Sequence, residues 1–172
     1  MTSDWWNAVV AGVLATVGGL LTAGCADDAA GAGGGRPAEG TMVEGADWRG
    51  VLLTSRHDEL SLPGHPTVEA ESLVPYEADV ERFEEALPAT EVFEYPGGEP
   101  ETVDLSEHTR QYTELSGGGL RELLVTGFCD PSWVDGWEEE WIQVADGGSC
   151  FFDASMDLDS GEIVSFTFYG IG

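Results

Sequence analysis

Few side chains in this sequence combine the right type and spacing for chemistry, and the histidines come first. His57 stands beside Asp58 and Glu59, a cluster able to exchange a proton near neutral pH. Three consecutive polar residues after an apolar run are also what an exposed turn looks like, and the turn is the simpler reading. His65 and His108 lie far from that cluster, and no Cys-x-x-Cys pair accompanies them, so zinc-ligand spacing is absent. No Gly-x-Ser-x-Gly frames a serine nucleophile, and neither a P-loop nor a dinucleotide fingerprint occurs. Asp157, Asp159 and Glu162 alternate around Gly161 like the start of a calcium loop. The run lacks the third ligand and the distal bidentate glutamate of an EF-hand, which leaves a hairpin turn as the simpler reading. Trp133, Trp137 and Trp141 recur every four residues after an Asp130, Pro131 start that suits a helix N-terminus. Such a row can stack a sugar or seat a partner, and more simply it packs into a core. These patterns assign no catalytic group and call for no cofactor.

Charge narrows the choice of partners. The 172 residues carry 33 Asp and Glu against 6 basic residues, a net charge of −27. All the basic residues are arginines: Arg36, Arg49, Arg56, Arg82, Arg110 and Arg121. Disordered acidic chains are poor in aromatic residues, whereas this one has six tryptophans and 42% hydrophobic residues, so it should fold. No basic patch exists to displace counterions from phosphates, which argues against nucleic-acid binding. The lysine-free, acid-rich composition resembles that of proteins from halophilic archaea, and the resemblance implies that screening by salt supports the fold. The alternative is the arginine bias of a GC-rich genome.

Near the N-terminus, residues 8–23 are uncharged and interrupted by Gly12, Gly18 and Gly19. A spanning helix needs about 20 predominantly apolar residues, so the run fits the apolar region of a signal peptide better. Thr22, Ala23, Gly24 and Cys25 then resemble the lipobox of bacterial and archaeal lipoproteins. The resemblance implies cleavage before Cys25 and a lipid on its sulfur, which anchors the protein to the outer face of the cell membrane. Cleavage after Ala26 or an uncleaved anchor is the second outcome weighed, and a protein that stays in the cytoplasm is the third. Export in turn implies that Cys129 and Cys150, the two cysteines left over, form a disulfide. The expected organisation is a signal or anchor over 1–24, a Gly/Ala/acidic tether over 25–46 and one globular domain over 47–172.

Within that domain the pattern predicts an α+β fold: an antiparallel sheet of five to seven strands with one main covering helix. The helix is expected over 77–87, with Val80, Phe83, Ala86 and Leu87 on one face and Pro88 as its stop. Strands are expected over 48–55, weakly over 67–73, over 91–95 and 102–105 as a hairpin, and over 120–129. Residues 139–145, 149–157 and 162–169 read as a three-stranded meander, with Cys150, Phe152, Ala154 and Met156 facing Val164, Phe166 and Phe168. Residues 108–115 fit helix or strand, and Gly117, Gly118 and Gly119 break the chain. Two functions fit this description. One is a membrane-anchored extracellular domain that binds a protein or small molecule or serves the envelope. The other is a small secreted hydrolase with a carboxylate or histidine site. A pocket lined by His57 or His108 would favour the second.

Overall fold

A computed structural model describes residues 35–54, 70–95, 97–144 and 146–169. Cys25, His57 and His65 lie outside the described residues. Among the described residues nine strands form: β1 Thr41–Glu44, β2 Arg49–Leu52, β3 Glu71–Leu73, β4 Thr90–Phe93, β5 Glu101–Asp104, β6 Thr109–Gly117, β7 Leu120–Phe128, β8 Phe151–Asp157 and β9 Glu162–Phe168. One α-helix, α1, spans Glu77–Ala86. The α+β class therefore holds, with a seven-stranded sheet and a separate two-stranded hairpin, β4–β5.

The large sheet runs in the order β1-β2-β6-β7-β8-β9, with β3 also on β6. It is mixed rather than antiparallel, because β2 pairs parallel to β6, Arg49 opposite Thr109 through Leu52 opposite Tyr112. Parallel neighbours need a long crossover, and the chain between them supplies β3, α1 and the β4–β5 hairpin. Residues 108–115 resolve as strand: β6 is the centre of the sheet, with β7 on one edge and β2 and β3 sharing the other. The three glycines do not end the sheet. Gly117 pairs with Leu120, and Gly118 and Gly119 form the two-residue turn between them at φ 60° and 88°. Two consecutive positive φ values define the tight hairpin turn whose twist matches its strands, and glycine adopts them without strain.

The expected meander shifts by one strand. β7, β8 and β9 follow one another, whereas residues 139–144, the described part of the first expected strand, form no strand. Their backbone is held instead by one side chain. Gln111 donates to the carbonyls of Trp137 and Glu140, and its own Oε1 accepts from the Ile142 N–H at 2.7 Å. Gln111 is fully buried, so three bonds to backbone satisfy an amide that would otherwise cost stability.

Alternation divides the sheet into two faces. Tyr112, Leu123, Val125, Phe152, Ala154 and Met156 belong to the core cluster with Val80 and Phe83 of α1. Leu87 packs against that cluster, while Ala86, expected on the same face, is exposed where the helix ends before Pro88. Phe152 pairs with Phe168 and Ala154 with Phe166, as the alternation requires. Val164 does not join them. A register shift between Ser155 and Met156 pairs Met156 with Ile163, so Ile163 packs on the core and Val164 is 50% exposed. A bulge adds one residue to a strand and reverses the alternation beyond it, which sequence spacing does not reveal.

The fold also reaches further toward the N-terminus than expected. Residues 41–44, assigned to the tether, are β1, paired antiparallel to β2. Arg36 Nη1 lies 2.7 Å from Oε2 of the fully buried Glu114, and its guanidinium sits 4.5 Å from the centre of the Tyr76 ring. Arg121 Nε meets Glu114 Oε1 at 3.2 Å and its Nη2 meets Asp79 at 3.3 Å, joining β7 to α1. Among the described residues no helix is long and apolar enough to cross a membrane.

Candidate functional site

A cleft of about 590 Å³ opens between the β1–β2 turn, the C-terminal half of α1 and the short turn after β5. Each wall has a local cause. Gly45 closes the β1–β2 turn by donating its N–H to the Trp48 carbonyl at 2.9 Å. A Cβ at position 45 would fall 2.3 Å from the Trp48 indole nitrogen, so only glycine lets the turn lie on that ring. Trp48 in turn packs edge-on to Tyr112 at 6.2 Å. On α1, Glu81, Glu84 and Glu85 reach the cleft from the face adjoining Phe83. Asp104 ends β5 and accepts from the N–H of Ser106 at 3.0 Å and its hydroxyl at 2.7 Å. Those two bonds, the hydroxyl's first, hold the Asp104 carboxyl below its ordinary range.

The floor is a buried ionic group. The Arg110 side chain is 3% exposed and that of Glu84 5%, with Nε 3.1 Å from Oε1 as an ion pair lacking hydrogen-bond alignment. Arg110 spends its other nitrogens on backbone: Nη1 donates to His108 O and Nη2 to Leu105 O, both at 2.9 Å. The Tyr112 hydroxyl donates to Glu84 Oε1 at 2.8 Å. Burial raises the Glu84 pKa, opposed by Arg110 and then by the Tyr112 bond. Burial, reinforced by the Glu84 charge, pushes the Tyr112 phenol well above its usual value. Arg110 and Glu84 are thus fixed by protein partners. The other charged residues that line the cleft are all acidic: Glu44, Asp47, Glu81, Glu85 and Asp104.

The residues singled out by spacing are scattered. His108 does not line the cleft. It is buried, with Nε2 3.2 Å from the Ser149 carbonyl oxygen and 3.6 Å from Cys129 Sγ, and its ring lies 5.4 Å from that of Phe152. Burial is the main cause that lowers its pKa. Cys129 and Cys150 form the expected disulfide, their Cα atoms 5.0 Å apart and the Cys129 N–H donating to Cys150 O at 3.0 Å. Trp133, Trp137 and Trp141 do not share a helical face. Residues Pro131–Trp133 make a 3-10 turn capped by Asp130, which accepts from Ser132 N at 2.8 Å. Trp133 is 70% exposed, Trp137 packs edge-on to Phe128 at 5.7 Å, and Trp141 is half-buried. Asp157 serves the turn: its Oδ1 accepts from Asp159 N at 2.9 Å and Ser160 N at 2.8 Å, and these bonds lower its pKa, that from Ser160 first. Asp159 lies 3.8 Å from Arg121. Among the described residues no three His, Cys, Asp or Glu side chains converge to hold a metal.

Trp48, Glu84 and Arg110, which build the cleft, were not singled out by spacing. One signal for them exists. Arg110, Tyr112 and Glu114 occupy alternate positions of one strand, so a single face of the central strand carries three large polar side chains that need buried partners. No known protein family matches the chain, and neither a characterised protein nor a solved structure resembles it significantly.

Proposed function

We propose that the chain is an exported, membrane-anchored binding domain whose cleft takes a small organic cation. The cleft lining carries this reading. Glu44, Asp47, Glu81, Glu85 and Asp104 line the same cleft as Trp48, over a floor whose guanidinium is already paired with Glu84. An anion meets repulsion there, whereas a cation gains both the field of the rim and the negative face of the ring. Leu87, Pro88 and Leu105 offer apolar contact for alkyl groups on such a ligand.

Binding is favoured over hydrolysis because Glu84, the carboxyl whose pKa burial raises, already accepts from Tyr112 and is paired with Arg110. His108 stands outside the cleft lining. Isothermal titration with tetraethylammonium and with spermidine, in salt that keeps the chain folded, tests the reading. A saturable single-site isotherm is expected, weakened about tenfold by Trp48→Ala, since a desolvated cation–π contact contributes about 1–2 kcal/mol. Absence of saturable heat from both cations, or an affinity indifferent to Trp48→Ala, rejects it.

Anchoring is the second part of the proposal. It rests on the resemblance of residues 22–25 to a lipobox, and the Cys129–Cys150 bridge supports it because such bridges persist in oxidising compartments. In an archaeal or bacterial host, the wild-type chain is expected in the membrane fraction with a lipid mass on Cys25. Cys25→Ser should remove that mass. A wild-type chain recovered without lipid overturns the assignment.

A further inference from the structure

The disulfide lies in a chemical setting that a purely structural bridge does not need. Cys129 and Cys150 continue the β7–β8 register one pair beyond Phe128 and Phe151, where both strands leave the sheet. Cys129 is an exposed residue and Cys150 a half-buried one, which favours entry at Cys129. His108, from the start of the neighbouring strand, brings Nε2 to 3.6 Å from the Cys129 sulfur. The same nitrogen faces the Ser149 carbonyl at 3.2 Å, and a carbonyl only accepts, so Nε2 carries the proton. An N–H donor beside the sulfur of the more exposed cysteine is the arrangement that stabilises an attacking thiolate.

We propose that Cys129 and Cys150 form a thiol–disulfide exchange site for low-molecular-weight thiols, with Cys129 as the entry sulfur and His108 as the hydrogen-bond donor to its thiolate. A small thiolate attacks the Cys129 sulfur and the Cys129–Cys150 bond breaks. Cys150 leaves as a thiolate and takes a proton from solvent, while Cys129 carries a mixed disulfide. A second small thiolate attacks the outer sulfur of that mixed disulfide. It forms the small-molecule disulfide and expels Cys129 as a thiolate, which the His108 N–H receives and solvent protonates. Two small thiols thus lose two electrons and two protons to the protein, and the reverse sequence begins with Cys129. The charged groups that face His108 and its neighbours are Arg110, Glu107 and Asp104, with Asp130 next along the chain from Cys129.

The bridge closes the neck of residues 130–149, the segment that presents Trp133. Reduction removes that closure, while the three Gln111 bonds and the Trp137–Phe128 contact still hold the middle of the segment. The site therefore opens without requiring the sheet to unfold.

The test is equilibration of the purified full chain in reduced and oxidised glutathione at pH 7.5, followed by iodoacetamide trapping and peptide mass spectrometry. The pair is expected to exchange while the near-ultraviolet signal of the folded core persists. In the reduced protein Cys129 should alkylate about tenfold faster than Cys150, and His108→Gln should cut that ratio about fivefold. A bridge that opens only when the chain is denatured overturns the proposal, as does faster alkylation of Cys150. The order of alkylation in the wild-type chain decides the matter even if His108→Gln fails to fold, and an unchanged ratio in a folded His108→Gln removes the role given to the imidazole.

Discussion

Replacing Arg110 by methionine should destabilise the fold by about 3–5 kcal/mol at pH 7, because it leaves Glu84 as a buried carboxylate without its counter-charge. That is a large share of the roughly 5–15 kcal/mol that holds an ordinary domain together. For a domain of this size it corresponds to about 10–20 °C in Tm. The loss should also depend on pH, with a sign set by Glu84. Its pKa is already raised in the folded state above the ordinary 4.5 by burial, so the native chain holds that proton more tightly than the unfolded chain. The resulting contribution to stability is fully present below the unfolded pKa and is lost as pH rises through the folded one. The Arg110 charge is the strongest influence that opposes the shift. Removing it raises the folded pKa further and moves the loss of stability to higher pH. Arg110→Met should therefore unfold more easily at pH 8 than at pH 5, as followed by urea denaturation. Adding Glu84→Gln should recover most of the stability and flatten the pH dependence, since replacing both partners of a buried pair is far milder than orphaning one. A single variant as stable as the wild-type chain at pH 8 contradicts the ionic floor described for the cleft.

The same network shows where sequence patterns lose information. The helix was legible because Val80 and Phe83 repeat at helical spacing and Pro88 fixes its end. The β4–β5 hairpin was legible from the Pro-Gly-Gly turn signal between its strands, and the strands around Phe152 and Phe166 because apolar alternation marks a half-buried strand. β6 was not, because its buried positions hold Thr109, Arg110, Gln111, Thr113 and Glu114, and a hydrophobicity pattern reads such residues as exposed. Their burial depends on partners remote in the chain: Arg36 for Glu114, Glu84 for Arg110, and the backbone of residues 137–142 for Gln111. The parallel pairing of β2 with β6 has the same origin, as local spacing carries no record of a crossover. Hence the site, built on that strand, was the least visible part. The Cys129–Cys150 pairing was legible once the lipobox resemblance of residues 22–25 set Cys25 aside and left two cysteines.

Transfer from about 1 M KCl to dilute buffer is the other change expected to have a large effect, and it should loosen or unfold the domain. The reason lies in how the few positive charges are used. Of the described arginines, Arg36, Arg82, Arg110 and Arg121 are in ion pairs with Glu114, Asp79, Glu84 and Asp159, and Arg49 bonds Thr109. Apart from the exposed Asp159, the acids they pair with are buried or half-buried, so most outer carboxylates are left facing one another in a chain whose net charge is −27. Two exposed charges about 10 Å apart repel by about 0.4 kcal/mol in unscreened water. A Debye length of about 30 Å at 0.01 M salt leaves most of that, and one of about 3 Å at 1 M leaves almost none. Some twenty such neighbours amount to about 6 kcal/mol, comparable to the whole stability of a domain, with part returned because the unfolded chain also repels itself. Urea midpoints followed by tryptophan fluorescence should therefore rise steeply with KCl at low concentration. They should flatten once screening is complete, unlike the continuing rise that a salting-out effect on apolar burial gives. Partial neutralisation of the outer carboxylates near pH 5 in dilute buffer should reproduce part of the gain, because it removes the same repulsion. Equal midpoints in 0.01 M and 1 M KCl are incompatible with a fold limited by its own charge.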